Sequence, residues 1–438
     1  MLKIPAITTS NWPEKAVHNL ISAVSLIVFA FLDLLDIVLC LFYRFIDGIK
    51  EENTFPCYCE NRGTHGRSAN GDEDDGEIEL SETLFQRKNI FRDLGLLEFT
   101  KEREGSLKND GLMVKNRWSD CNCESCLSWQ KLEDRKLHVV IKEPSQANMK
   151  PAENVIFLHG FLSSSSLWTE TVFPNISETG NQNCRLFAVD LLGFGKSPKP
   201  RDCLYTMKDH LEMVEKSLIN QFQLESFHLV AHSMGCIIAL AIAAKYQKSV
   251  KSITLIAPPY FPSSKEKASL NALNRLAERR LWPPLLFGSS VMSWYEHLGR
   301  SICFLICRNH RTWEWLLKLI TGKRELPFMF VDLTRHTHHS AWHTMHNVIC
   351  GGAKLMDGYL EAVSSSKIVL TVIQGDKDEV VPLECMHNMK LKVPSAEVKI
   401  ISNANHNFLI LERKENFTRD LEHIWYSAAE NYKQNLCS

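Results

Sequence analysis

The chain has 438 residues, and 45% of them are hydrophobic, which suits one large enzyme domain with appendages. Its 50 Lys and Arg residues nearly balance its 51 Asp and Glu residues, giving a net charge of −1. No charge excess therefore points to a nucleic acid or to an acidic surface as a partner.

The N-terminal segment is strongly apolar. Residues 16–32 contain no Asp, Glu, Lys or Arg, and this length is close to the minimum for crossing a bilayer. Asp33 and Asp36 interrupt the run, and each would cost about 2.5–3.5 kcal/mol at the bilayer centre. We therefore expect a signal sequence or membrane anchor over residues 1–50, with a buried or surface helix as the alternative. Cys40, near the end of the stretch, is a candidate site of lipid attachment.

The following region, residues 51–135, is predicted to be poorly ordered. Its acidic run at residues 71–77 has almost no apolar side chains. Such a segment cannot bury enough apolar surface to offset the entropy lost on ordering.

Fourteen cysteines occur in the chain, and five of them cluster in this same region. The five are Cys57, Cys59, Cys121, Cys123 and Cys126. In a secreted chain they would be disulfide partners. A closed zinc site needs four ligands, and no second Cys/His pair follows at zinc-finger spacing. Disulfides are therefore favoured over free structural thiols, and both are favoured over a metal site.

From residue 136 onward, short apolar runs alternate with helical patterns. The continuous apolar runs suit strands that are buried on both faces of a parallel sheet. Their alternation with helices near 206–222, 235–248 and 407–430 predicts a doubly wound, mostly parallel α/β sheet. The candidate strands are 137–141, 154–158, 185–189, 227–231, 252–257, 368–373 and 398–401.

One interval breaks this alternation. About 110 residues separate the fifth candidate strand from the sixth, which is too long for a loop in a compact domain. The interval is rich in Trp, Phe and Leu. We predict a helical cap over residues 261–366, inserted between two parts of the core at 136–260 and 367–438.

The most informative local pattern surrounds Ser233. It lies in the sequence VAHSMG, which follows an apolar strand and opens a helix. This context fits a nucleophile elbow, where small residues such as Ala231 and Gly235 must flank the serine. The alternative is a chance serine in a strand-to-helix turn.

An oxyanion hole requires two backbone N–H donors. One is expected from Met234, directly after the serine, and the other from a loop that follows an earlier strand. The sequence FLHGF has that form, because Gly160 permits a close turn that carries the amide of Phe161 toward the serine. His159 is expected to brace this loop rather than to act as the base.

The acid and the base should follow the serine along the chain. Asp376, Asp378 and Glu379 come directly after the sixth candidate strand, and each could orient a histidine. His406 follows the last strand and is the preferred base, whereas His387 lies in a predicted helix.

Residues 154–425 resemble the α/β-hydrolase superfamily. Besides the serine motif, residues 190–197 read DLLGFGKS, which matches the D-x-x-G-x-G-x-S loop of that superfamily. The resemblance implies Asp378 as the triad acid, because its loop reads G-x-x-D-x-x-x-P, with Asp376 as the fallback. Two departures are the alanine that replaces the first glycine of the elbow and the absence of a glycine beside His406.

The likeness extends to one plant family. The apolar N-terminus, the CNCESC sequence at 121–126, the HGFLSSS sequence at 159–165 and the His-rich segment 336–346 together resemble the BODYGUARD family. This resemblance implies a lysophospholipase or acyl-transferring enzyme of epidermal cells. The implied setting is the plasma membrane and outer cell wall, in cuticle formation and cutin or suberin monomer loading.

Two further patterns have weaker interpretations. His339 and His343 are four residues apart and would share a helix face, but a triad hydrolase needs no metal, so packing or pocket roles are favoured. Asn175 and Asn416 open glycosylation sequons, which matter only if the chain is secreted.

The sequence thus predicts a serine hydrolase that uses Ser233, Asp378 and His406 on lipid-like acyl esters, without metal or cofactor. Hydrolysis and acyl transfer remain open, although no H-x-x-x-x-D acyltransferase box occurs. The alternatives are a ligand receptor that retains the triad for recognition and a scaffold with a disused site.

Overall fold

A computed structural model describes residues 14–51, 57–59, 80–85, 87–94, 117–128, 136–145, 153–406 and 408–437. The acidic run at 71–77 lies outside these residues. The strands are β1 Val139–Lys142, β2 Glu153–Leu158, β3 Cys184–Val189, β4 Phe227–His232, β5 Val250–Ile256, β6 Val369–Gly375 and β7 Glu397–Ile401. The helices are α1 Glu14–Lys50, α2 Ile90–Asp93, α3 Glu124–Ser128, α4 Ser166–Thr169, α5 Glu178–Asn183, α6 Met207–Val214, α7 Met234–Lys245, α8 Ala268–Leu276, α9 Pro284–Trp294, α10 Glu296–Leu305, α11 His310–Thr321, α12 Phe328–Asp332, α13 His338–Thr344, α14 Met356–Ser364, α15 Leu383–Lys392, α16 Phe408–Leu411 and α17 Lys414–Cys437.

The seven strands form one sheet in the order β1-β3-β2-β4-β5-β6-β7. β1 pairs with β3 in the antiparallel sense, and every other pairing is parallel. All seven strands lie where the sequence places them, with ends that shift by one or two residues. The predicted fold class, an α/β-hydrolase fold with a mostly parallel sheet, is therefore confirmed.

Side chains of the central strands alternate between two cores. Ile156 and Leu158 of β2 join the larger core, on the side of α7, while Val155 and Phe157 join the smaller core with Trp425 of α17. This alternation follows from the two-residue period of a strand, and it explains why the strand sequence is apolar throughout.

Helices α8 to α14 fill the interval between β5 and β6. The predicted cap range of 261–366 includes α14, but α14 packs against α7. Its Met356, Leu360 and Val363 are buried in the larger core, so this helix belongs to the layer that covers the sheet. The boundary at residue 366 stays a prediction, and the contacts of α14 favour one before residue 356.

The N-terminal helix α1 packs against the cap helix α10. The acids that interrupt its apolar run face the cap and helix α2. Asp33 accepts a hydrogen bond from the Tyr295 hydroxyl at 2.7 Å, and Asp36 accepts one from Arg92 at 2.8 Å. The opposite face exposes apolar side chains, and residues 19–50 are long and apolar enough to cross a membrane. One side of α1 thus carries the two acids and contacts the protein, and the other side, its bare face, exposes apolar side chains to solvent.

Parts of the region predicted to be poorly ordered are packed. Leu84 is completely buried, and the side chain of Asn89 caps α2 by accepting hydrogen bonds from the N–H groups of Phe91 and Arg92. The Asn89 amide also donates to the carbonyl of Asp33 at 2.9 Å. These short described segments therefore bury side chains against α1 and the cap, whereas poor order over residues 51–135 as a whole stays a prediction.

Candidate active site

Ser233 stands at the tight turn between β4 and α7. Its φ of 52° and ψ of −119° put a non-glycine residue in a region that costs about 1–3 kcal/mol. The turn also brings two backbone segments together, since a Cβ on Gly235 would lie 2.6 Å from the carbonyl oxygen of His159. A small residue is therefore required at position 235, as the elbow pattern predicts.

The structure brings together the three residues expected to form a triad. Nε2 of His406 lies 3.0 Å from Oγ of Ser233, and Nδ1 of His406 lies 2.8 Å from Oδ2 of Asp378. With Nδ1–H donating to the carboxylate, Nε2 is left to accept the serine proton. Ser233 and His406 are half-buried and Asp378 is buried.

Asp378 is held in place by other donors. Its Oδ1 accepts the N–H groups of Val380 and Val381 at 2.9 and 2.8 Å, and its Oδ2 also accepts the Gln374 amide at 3.1 Å. The competing carboxylates of Asp376 and Glu379 are exposed. The loop therefore offers one carboxylate to the histidine.

His232 is a residue that sequence reasoning missed. Its Nε2–H donates to the carbonyl oxygen of His406 at 3.1 Å, and the two rings lie 4.8 Å apart. Burial lowers the pKa of His232 to about 3, so the ring is neutral near pH 7. Its position directly before the serine could have signalled a place beside the candidate catalytic histidine, but nothing in the sequence shows the hydrogen bond to the backbone of His406.

The loop after β2 lies against the serine. A Cβ on Gly160 would meet Cβ of Ser233 at 3.2 Å, so close approach explains this glycine better than the sharp turn expected from the sequence. Nε2 of His159 accepts the N–H of Leu191 at 2.9 Å, and Nδ1–H donates to the carbonyl of Gly160 at 2.7 Å. Burial lowers the pKa of His159, which suits a neutral ring in this bridging place.

The DLLGFGKS loop is organised by its aspartate. Asp190 accepts the N–H groups of Ser165 at 2.6 Å and Lys196 at 2.7 Å, and it faces His138 at 3.1 Å. Burial alone would raise its pKa, but the hydrogen bond with His138 and these N–H donors hold the pKa of Asp190 well below its usual range. A Cβ on Gly195 would lie 2.4 Å from this carboxyl group, so only glycine fits there.

Cysteines and histidines from distant parts of the chain meet in three clusters that the sequence did not reveal. The thirteen cysteines whose side chains are described are all free thiols, so the favoured disulfides are not formed among them. Cys40 is completely buried, 3.6 Å from Cys57. A thiol so enclosed is inaccessible to an acylating enzyme, and the expectation of a lipid anchor there does not fit this arrangement.

In the His-rich segment and the two sequons, His339 and Asn175 make hydrogen bonds within the protein, and Asn416 faces solvent. The ring centres of His339 and His343 do lie 4.2 Å apart, with the rings tilted by 50°, but Nε2–H of His339 donates to the carbonyl of Cys203 at 2.9 Å. The Asn175 amide donates to the Thr171 carbonyl, which leaves it poorly placed for glycosylation. Asn416 is exposed within α17.

Comparisons with known proteins identify one family model, curated relatives and similar solved structures. The alpha/beta hydrolase fold family matches residues 153–282. The probable lysophospholipase BODYGUARD 4 of Arabidopsis thaliana is 52% identical over 426 residues, covering 95% of this chain and 100% of that protein. The probable lysophospholipase BODYGUARD 5 of the same plant is 46% identical, covering 97% and 99%. Among solved structures, an esterase from Exiguobacterium antarcticum is 16% identical with a TM-score of 0.45, covering 66% and 95%.

Proposed function

Because the chain belongs to the BODYGUARD family of α/β-hydrolases, we propose that it is a serine hydrolase of lipid-type carboxylic esters. One observation carries the proposal: a single imidazole, that of His406, lies 3.0 Å from the Ser233 hydroxyl and 2.8 Å from the Asp378 carboxylate. These are the distances at which a base accepts the proton of a serine while a carboxylate fixes its tautomer.

In the proposed reaction, Nε2 of His406 accepts the Ser233 proton as Oγ attacks the ester carbonyl. The tetrahedral intermediate collapses when the protonated ring donates that proton to the departing alcohol. The acyl group is then bonded to Ser233. Water, activated by the same ring, releases the fatty acid and restores the serine; an acceptor alcohol in place of water would make the reaction an acyl transfer.

The amides of Phe161 and Met234 are the proposed oxyanion donors. Met234 is the first residue of α7, so its N–H belongs to the positive end of that helix. The Gly160 carbonyl is fixed by His159. Since a trans peptide directs its C=O and N–H in opposite senses, that hydrogen bond turns the Phe161 N–H the other way. We therefore assign His159 a positioning role.

A lipid substrate is supported by the apolar surface of the cap. Large apolar side chains are exposed on cap helices and on the segment between α8 and α9, which a soluble enzyme for polar substrates has no reason to present. They include Trp282, Leu285, Trp315, Leu319, Ile320 and Phe330.

The bare face of α1 supports association with a membrane. Leu26, Ile27, Phe31 and Phe45 are among its exposed side chains. Asp33 and Asp36 accept hydrogen bonds from cap residues, so the acidic side of α1 faces the protein. If α1 lies along a membrane surface, its exposed apolar side faces the lipid. We extend the proposal to the setting that the family resemblance implies, namely the secretory pathway and the plasma membrane or wall of epidermal cells, with cutin or suberin monomers as further substrates. The cuticle role is part of this proposal.

The test is hydrolysis of lysophosphatidylcholine by the purified chain, with products measured by mass spectrometry. We expect free fatty acid and glycerophosphocholine from the parent and neither from Ser233→Ala at equal folded concentration. A parent that releases no acyl product from lysophospholipids or from acylglycerol esters, although folded, would contradict the proposal.

A further inference from the structure

Two clusters of three cysteines and one histidine lie where the N-terminal part of the chain meets the cap. We call them cage one and cage two. Cage one consists of Cys40 of α1, Cys57, Cys59 and His297 of α10, and cage two of Cys121, Cys123, Cys126 and His310, the first residue of α11. In each cage the four donor atoms lie within 4.8 Å of one another.

The separations between donor atoms match a tetrahedral zinc site. With Zn–S near 2.3 Å and Zn–N near 2.0–2.1 Å, the ligand atoms of such a site stand about 3.5–3.8 Å apart. In cage one, Cys40 and Cys57 sulfurs are 3.6 Å apart, and Nε2 of His297 is 3.4 Å from the Cys57 sulfur. The Cys59 sulfur lies 3.9 Å from that nitrogen and 3.5 Å from Nδ1.

Cage two repeats this geometry. Nε2 of His310 lies 3.4 Å from the Cys123 sulfur and 3.5 Å from the Cys126 sulfur. The N–H of Cys123 donates to the Cys121 sulfur at 3.4 Å, as the N–H of Cys59 does to the Cys57 sulfur at 3.3 Å in cage one. N–H donors directed at sulfur stabilise a thiolate, which is the form that binds a metal.

Disulfides explain these clusters less well. Bonded sulfurs are about 2.05 Å apart, whereas Cys40 and Cys57 stand at 3.6 Å. Pairing also uses two cysteines at a time, so it would leave one thiol of each trio and the histidine without a partner.

In each cage a carboxylate lies beside Nδ1 of the histidine, as is usual for metal-bound imidazoles. Nδ1 of His297 lies 3.5 Å from Asp36, and Nδ1 of His310 lies 3.2 Å from Glu314. A carboxylate at the second nitrogen fixes the ring and makes the first nitrogen a stronger ligand. Asp36 further accepts the backbone N–H of His297 at 3.0 Å, so its position is determined twice.

We propose that the protein binds two structural zinc ions, one in each cage. Three thiolates and one imidazole form a closed tetrahedral set, which selects zinc and leaves no open position for chemistry. Cage one ties α1 and the segment 57–59 to α10. Cage two ties the segment 121–126 to α11. The N-terminal segments are too short to form a hydrophobic core of their own. A bound metal ion commonly stabilises such segments.

A third group stays outside the proposal. Nε2 of His336 lies 3.5 Å from Cys303 and 3.6 Å from Cys307. It offers three ligands rather than four among the described residues. Metal bound at this third group would add to the total content, so the decisive quantity is the number of ions lost when one cage is disrupted.

The test is metal analysis of the full chain, expressed without added chelator and measured by inductively coupled plasma and native mass spectrometry. Cys59→Ser disrupts cage one and Cys123→Ser disrupts cage two. Cys203→Ser is the matched control, since Cys203 is partly exposed and lies in neither cage. We expect each cage variant to carry one zinc fewer than the parent, the double variant two fewer, and the control the same number.

A second measurement uses the parent alone, in case a cage variant fails to fold. A mercurial that blocks thiols should release at least two zinc ions, detected with a chromophoric chelator. Protein made in cobalt medium should show the thiolate charge-transfer and strong d–d bands of tetrahedral cobalt. The proposal is overturned if the folded parent contains no zinc, if both cage variants retain the parent's zinc content, or if peptide mapping finds the six cage cysteines in disulfides.

Discussion

The carboxylate of Asp378 lies 2.8 Å from Nδ1 of His406, although 28 residues separate them in sequence. Asp378 lies in the loop after β6, and His406 follows β7, the neighbouring parallel strand. Parallel strands end at the same edge of a sheet, so the two loops meet beside Ser233. This contact determines which nitrogen of His406 carries the proton.

Asp378→Asn should therefore lower kcat strongly. An amide that donates toward Nδ1 would favour the wrong tautomer, a change that costs about 10⁴ in comparable triads. Ester hydrolysis by equal amounts of folded protein measures the effect. Asp376→Asn, two residues away and exposed, is the control and should retain parental activity. A larger loss in the control than in Asp378→Asn would reverse the assignment.

His159→Leu should lower kcat by about 10²–10³ with little change in KM, because the oxyanion develops only in the transition state. The substitution removes the hydrogen bond that fixes the Gly160 carbonyl. His387→Leu, at an exposed position on α15, is the control. Titrating active sites with a fluorophosphonate separates the two causes: a purely structural role would reduce the number of active sites without lowering kcat per site.

Buried neutral histidines should make the protein sensitive to acid. Burial lowers the pKa of His210 to about 4, and neither ring nitrogen has a hydrogen-bond partner among the described residues. The unfolded chain takes up a proton near pH 6.5, whereas the folded chain does not until near pH 4, so stability falls as pH falls through this window. For one such histidine the loss is about 2 kcal/mol at pH 5.

This dependence can be measured by urea unfolding at pH 7.5 and pH 5 for the parent and for His210→Leu. The variant should lose about 2 kcal/mol less than the parent between the two pH values. Equal losses in both proteins would show that His210 does not stay neutral in the folded state.

The docking of α1 should depend on Asp47. Its two oxygens accept hydrogen bonds from Arg300 at 2.6 and 2.7 Å, and both side chains are largely buried. Asp47→Asn leaves the guanidinium without a counter-charge and should cost about 3–5 kcal/mol in unfolding free energy. Asp420→Asn breaks the more exposed pair with Lys399 and should cost about 0–1 kcal/mol. Equal effects would mean that α1 does not rest on the cap as described.

The sheet and the candidate triad could be read from the sequence because their signals are local. Seven apolar runs predicted seven strands, and the serine motif stands at a strand-to-helix turn. Local patterns suffice there because the fold places the ends of successive parallel strands at one edge.

The Cys/His clusters escaped prediction because their ligands are not local. His310 lies 184 residues beyond Cys126, so no zinc-finger spacing joins them. The same holds for the acids of α1, which looked like defects in an apolar segment. Asp33 and Asp36 accept hydrogen bonds from residues far downstream in the chain, such as Tyr295 and Arg92, and the sequence does not show these contacts.

The most direct test of the central claim is labelling by a fluorophosphonate, with the modified peptide identified by mass spectrometry. The account predicts one adduct, on Ser233, that is lost in Ser233→Ala together with esterase activity, a loss of about 10⁶ in turnover for a triad serine. A Ser233→Ala protein that hydrolysed acyl esters as well as the parent, or that took the label elsewhere, would contradict it.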